Sequence, residues 1–243
     1  RTGSDEKTLR VLHHRAKRNP KKIVFAEADQ LDVLKAAQIV KEEGIAEPIL
    51  LGRKEVIHDL MESIDFTDEV EILDPKSTEE RKIKNHYAEL YWQDQKRKGV
   101  TEYEAKSVLR ERNYFASMMV KTGDADAMLS GYSRNYASVV KPIMNIIGKA
   151  KGVTRIAATN LMLTDRGPLF LSDTSINIDP TAKELTKIAH MNAQVVKLFG
   201  FKPVTAMLSY ANFGAATHPG AKKVTEAVAY LHRYYPDLDI DGP

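Results

Sequence analysis

The sequence predicts an α/β protein built mostly on parallel strands, and two observations lead there. Short runs rich in Val, Ile and Leu, bounded by Gly, Pro or Asp, alternate with segments of helical length. That alternation is expected when each strand hands over to a helix that crosses back over the sheet. At residues 164–168, "TDRGP", two strand-like runs meet through a short turn containing Gly, which predicts a β-hairpin inside the otherwise parallel pattern.

Taken in order, the predicted strands are 22–27, 48–52, 69–73, 126–130, 156–164, 168–173 and 204–210. Helix signals lie between them. Ser77 and Glu80 have capping-box spacing before a helical run that Gly99 stops. Thr101 and Glu104 repeat the device and open a helix that runs to Gly123. Its inner face carries Ala105, Val108, Leu109, Phe115 and Met119, apolar except for Arg112. Asp179-Pro180 reads as an N-cap with proline at the first helical position, ahead of an amphipathic helix from Ala182 to Phe199 closed by Gly200. Around Pro142 the helical spacing of Val139, Val140, Ile143, Ile146 and Ile147 allows two outcomes. Either the helix kinks, or a new one starts at Pro142 with Lys141 near its positive end. A cation there opposes the helix dipole unless an anion binds.

Residues up to about 150 are helix-heavy and highly charged, and those beyond about 153 are richer in strands. The predicted boundary falls in "GKAKGV", 148–153, giving a first α/β domain at 1–150 and a second at 151–243.

Composition removes several function classes. The 36 basic and 33 acidic residues nearly cancel, at a net charge of +3, which gives little reason to expect nucleic acid. No apolar run approaches the length of a membrane span, and the first residues lack the apolar core of a signal peptide. Without a cysteine there are no disulfides, thiolate metal sites or cysteine nucleophile, and a cytoplasmic location is the expectation. The seven histidines never show the His-x-x-x-His spacing of a helical metal site, so no metal is expected here. P-loop, G-x-G-x-x-G and G-x-S-x-G motifs are also absent.

What remains is the ends of the strands, where open α/β sheets bind ligands. Three carry small polar residues: 130–135, 172–177 and 209–214. Small residues let backbone N–H groups approach an anion, and Arg134 offers a fork for a phosphate or carboxylate. Turns and caps call for the same Ser, Asn and Gly, with Arg134 then a solvated or interface cation. The residues alone leave both readings open.

At these strand ends the chain resembles the phosphate acetyl/butyryltransferase family, through "GDADAMLSG" (123–131), "VVKPIMNIIG" (139–148), "LMLTDRGPLFLSDTSINIDPTAKEL" (161–185), "AMLSY" (206–210) and "DIDGP" (239–243). The resemblance runs from about Asn19 to the C-terminus. Within it "RNPKKIVFAEAD", "SRNY" and "AKKVTEAVAYLH" are most similar to the phosphotransacetylase-like C-terminal domain of bacterial hybrid NADP-dependent malic enzymes. The fold implied is two α/β/α domains around a cleft, isocitrate-dehydrogenase-like, dimerised through the second domain.

The resemblance also implies a function and its limits. Family transferases move an acetyl group between phosphate and the thiol of coenzyme A, with arginines on the phosphate and an aspartate as base. This chain departs from that pattern. Lys141 stands where an arginine is usual, Gln95 precedes "KRKGVT" where another is usual, and Ala211-Asn212-Phe213 replaces a loop of small residues. The family's Ser-Arg segment and aspartate are expected beyond Pro243, so no catalytic residue is assigned in this chain. The expectation is a regulatory and oligomerising domain that binds acetyl-CoA or a related acyl-CoA as effector. Ser130, Gly131, Arg134, Asn135, Lys141, Ser209 and Asn212 are its candidate cleft residues. NADP and Mg or Mn would belong to an N-terminal malic-enzyme region of the same polypeptide. An active phosphate acetyltransferase and a purely structural dimerisation module are the competing expectations.

Overall fold

The computed structural model describes residues 4–211 and 218–243. The chain forms two compact units, one spanning His13–Gly148 and one formed by Lys149–Pro243 with residues up to Leu12.

After helix α1 (Ser4–Arg18), the first unit runs β1 (Lys21–Phe25), α2 (Leu31–Glu42), β2 (Ala46–Leu51), α3 (Lys54–Ser63) and β3 (Glu71–Leu73). It continues with α4 (Arg81–Gln95), α5 (Glu102–Val108), α6 (Arg112–Thr122), β4 (Ala127–Leu129) and α7 (Tyr136–Ile146). The four strands make one sheet in the order β3-β2-β1-β4, every pair parallel. Alternation along the strands sends side chains to both faces. Val24, Ile49 and Leu51 pack with Tyr87, Phe115 and Met118 on one face. Phe25 and Leu50 pack with Leu34, Ile57 and Phe66 on the other. Both faces are therefore buried under helices, as a parallel sheet requires.

Two local readings of the helices change, and the choice left open at Pro142 is decided. Ser77 does not cap α4: its hydroxyl accepts from the Glu79 N–H at 3.1 Å, and Glu80 takes the cap position while Lys54 holds its carboxylate. The capping box at Thr101 and Glu104 does form. The helix it opens stops at Val108, however, and Glu111 caps a separate α6 by accepting from the Asn113 and Tyr114 N–H groups. Pro142 lies inside a helix that begins six residues earlier at Tyr136, so Lys141 is not at an N-terminus. The Ser138 carbonyl that Pro142 cannot satisfy receives the Asn113 amide, at a long 3.5 Å.

In the second unit β5 (Thr159–Thr164) and β6 (Gly167–Ser172) form the antiparallel hairpin. Helix α8 (Ala182–Leu198) starts from a capping box at Thr181 and Glu184, two residues after the Asp179 predicted for that role. Short β7 (Val204–Ala206) pairs in parallel with β8 (Asp239–Asp241) across α9 (Pro219–Tyr234). The β8 strand went unread because three residues show no period. Here the core is Ala189, Leu231 and Ile240, with Met207, Tyr235 and Leu238 against it.

Candidate functional site

In the four-stranded sheet the chain winds from β1 through β2 to β3 on one side, then places β4 on the other side of β1. The C-terminal ends of β1 and β4 thus flank the point where strand order reverses, the crevice in which such sheets hold ligands. Two segments leave it: residues 26–30 after β1, and residues 130–135 after β4. The Ala26 N–H donates to the Leu129 carbonyl at 3.0 Å and ties them together.

The second of these is the candidate loop of the sequence, and its backbone donors converge on a carboxylate of the protein itself. Glu27 Oε2 accepts from the N–H groups of Gly131 and Tyr132 at 2.7 and 2.8 Å. Glu27 Oε1 accepts from the N–H and the hydroxyl of Ser133 at 3.0 and 2.5 Å. Gly131 turns the chain at φ 107°, a conformation open to glycine. Glu27 is only 4% exposed. Burial alone would raise its pKa, but the Ser133 hydroxyl and the three backbone N–H groups outweigh that and hold the carboxyl below its ordinary value.

The remaining predicted residues in this unit are placed around that knot. Ser130 donates to Asn113 Oδ1 at 2.7 Å. Asn135 caps α7 by accepting from the Ser138 N–H at 2.9 Å. Arg134, just after the knot, and Lys141, in α7, are both exposed and form no ion pair among the described residues. Ser209 belongs to the other unit, where its hydroxyl accepts from the Ala211 N–H at 3.0 Å. Asn212 lies outside the described residues. Gln95 is buried and donates to the Asn145 carbonyl at 2.9 Å, tying the end of α4 to the last turn of α7.

Sequence reasoning missed both acidic residues after β1. Asp29 receives the Arg112 guanidinium through two bonds of 2.6 Å, with both side chains largely buried. The Arg112 bonds hold the Asp29 carboxyl below its usual range against the opposing effect of burial. A signal existed: a lone cation on an otherwise apolar helix face requires a buried partner. Glu27, Asp32, Ser130 and Tyr132 line a cleft of about 250 Å³ floored by Phe25, Val33 and Leu129. Tyr132 donates its hydroxyl to Asp32 there. Among the described residues no group of three His, Asp or Glu is arranged to hold a metal ion.

A parallel sheet with helices on both faces and polar loops at its reversal point defines an α/β protein of the doubly wound class. The phosphate acetyl/butaryl transferase profile matches residues 7–243, and the chain belongs to that family. It is 34% identical to a phosphate acetyltransferase of Helicobacter pylori over 96% of its own length and 45% of the relative's. It is 32% identical to the C-terminal region of an NADP-dependent malic enzyme of Escherichia coli, over 96% of this chain and 31% of the enzyme. The chain therefore spans less than half the length of these two relatives, but 72% of a 35%-identical phosphate acetyltransferase of Thermoanaerobacterium thermosaccharolyticum. Among solved structures, a phosphotransacetylase from Streptococcus pyogenes matches with a TM-score of 0.84 at 32% identity, over 97% of this chain and 71% of that one. The EutD phosphotransacetylase from Staphylococcus aureus matches with a TM-score of 0.85 at 26% identity, over 100% of this chain and 73% of that one.

Proposed function

We propose that this chain is the phosphotransacetylase-like regulatory and oligomerising region of an NADP-dependent malic enzyme, and that it binds acetyl-CoA or a related acyl-CoA as effector. The observation that carries the reading is a contrast between this loop and the side chains that follow it in the sequence. The amides of residues 131–133 are committed to Glu27, whereas Arg134, next in sequence, and Lys141, in α7, stand exposed without an ion pair among the described residues. Two free cations suit the phosphates of a coenzyme A derivative. Phosphoryl chemistry asks for more, namely donors converging on developing charge, and lysine at 141 lacks the guanidinium fork.

Coupling to malate decarboxylation then requires that the effector bind one state of the whole enzyme more tightly than another. NADP and the divalent metal belong to the N-terminal region of that longer, cytoplasmic polypeptide. Exposed Met162, Leu169, Val204 and Leu208 on the second unit support a homo-oligomer of at least two chains through that unit. No described helix is long and apolar enough to cross a membrane. Calorimetry of acetyl-CoA against the full-length polypeptide tests the reading, with saturable binding expected and its absence refuting it.

An active phosphate acetyltransferase is the second reading, favoured by the 34% and 35% identity to proteins of that name. Robust formation of acetyl-CoA from acetyl phosphate and coenzyme A by the full-length protein would establish it in place of the first.

A further inference from the structure

We propose that Glu27 is the positioning residue of the ligand loop: a built-in anion that fills the amide nest of residues 131–133 and thereby sets the place of Arg134. The inference rests on the effector reading for its ligand, but not for its geometry.

A carboxylate is acceptor-only, with about four lone-pair sites. Glu27 uses four, two on each oxygen, for donors at 2.5 to 3.0 Å. Successive backbone N–H groups pointing at one spot form an anion-binding concavity, and here its occupant is covalently attached to β1, a central strand of the sheet. Without Glu27 the exposed loop would lose the acceptor of three backbone N–H groups and with it their tie to the buried end of β1. Glu27 therefore ties the end of β4 to the rigid end of β1. Arg134 is the residue that follows the last of these donors, and the Asn135 cap of α7 follows Arg134. The position of the cation and the entry angle of the helix that carries Lys141 both depend on the knot. It also follows that an anionic ligand meets side-chain cations, not these amides.

Charge and shape are both needed. Glutamine at 27 would turn an NH2 group toward N–H donors, so a near-isosteric change fails at one of the two oxygens. Alanine would leave the nest empty but reachable, because the cleft of about 250 Å³ opens on Glu27. A small carboxylate can then take the missing place.

The experiment compares wild type with Glu27→Ala and Glu27→Asp in the full-length protein. It reads amide exchange at Gly131, Tyr132 and Ser133, and acetyl-CoA affinity by calorimetry below the melting point of each variant. Sodium formate is titrated at constant ionic strength against chloride. In Glu27→Ala the three amides should exchange fast and acetyl-CoA affinity should fall about tenfold or more, as misplaced binding groups do. Formate should restore slow exchange and affinity saturably in that variant alone, and Glu27→Asp should fall between. Unchanged affinity in Glu27→Ala overturns the inference, and so does a loss that neither formate nor aspartate recovers. If Glu27→Ala does not fold, Glu27→Asp and Glu27→Gln decide, the inference requiring the charged variant to keep the better-protected amides and the tighter binding. Should wild type bind no acetyl-CoA, the effector reading fails, and formate-dependent protection of the three amides still decides whether Glu27 is the loop's anion.

Discussion

Arg112 grips Asp29 through two parallel bonds of 2.6 Å, across 83 residues of sequence. The pair joins the start of α6 to the segment that follows β1. Removing one partner leaves the other charge buried and uncompensated. Arg112→Met should therefore cost about 3 kcal/mol, read as a lower denaturation midpoint in urea at unchanged slope. Arg112→Lys keeps the charge but not the fork, and should lie between. A midpoint equal to wild type for Arg112→Met would show that the pair contributes nothing net.

The parallel sheet, the hairpin and the reversal-point loop were legible because apolar period and turn chemistry are local properties. Glu27 as a loop anchor was not, because a carboxylate after a strand reads the same whether it meets water or four donors. The α5–α6 break escaped for a related reason: Glu111 serves as an N-cap, a role in which Ser, Thr, Asp and Asn are preferred. Composition left the loop open between an anion site and ordinary turn-and-cap chemistry, because Ser, Asn and Gly serve both; the amides of residues 131–133 meet the chain's own Glu27, and Asn135 caps α7.

Acid should loosen the first unit through the two carboxylates after β1. Glu27 and Asp29 both have folded-state pKa values below their ordinary ones. In the window between the folded and unfolded values the unfolded chain binds more protons, so stability rises with pH there. Their contribution is complete above the ordinary carboxylate range of about 4 and is lost as pH falls through the folded values. The urea midpoint of the first unit should be flat from neutral pH down to that range and then fall. Glu27→Gln should flatten part of the fall, and a slope unchanged by that variant would remove Glu27 from the account.

Charge at Arg134 and Lys141 should control effector binding unequally. Arg134 can engage an anionic group bidentately, whereas Lys141 acts as a point charge. Arg134→Ala should weaken acetyl-CoA binding by about 1.5–3 kcal/mol, the range of hydrogen bonds to charged groups, and Lys141→Ala by less. Lys141→Arg should bind at least as well as wild type. Both alanine variants should melt like wild type, because neither side chain is buried or ion-paired among the described residues. Titration calorimetry and a thermal melt on each variant check this, and equal affinity in all of them would place the anion elsewhere.

The second unit has its own sensitive point at Gly242, just past β8. The Met207 N–H donates to the Asp241 carbonyl at 2.8 Å, which brings the end of β8 against the chain that leaves β7. A Cβ built on Gly242 would lie 2.8 Å from the Met207 carbonyl oxygen and 2.7 Å from the Met207 Cβ, with the Val228 side chain at 3.1 Å. The obstruction includes backbone, so no rotamer change relieves it, and either the β7–β8 pairing or the seat of α9 must shift. Gly242→Ala should cost about 1–3 kcal/mol, as overpacking does, and amides of β7 and β8 should exchange faster than those of the β1–β4 sheet in the same molecule. An unchanged melt with unchanged exchange at Met207 would mean that the backbone gives way freely at this turn. Loss of protection confined to β7, β8 and α9 would identify Gly242 as the close contact on which the small parallel pair depends.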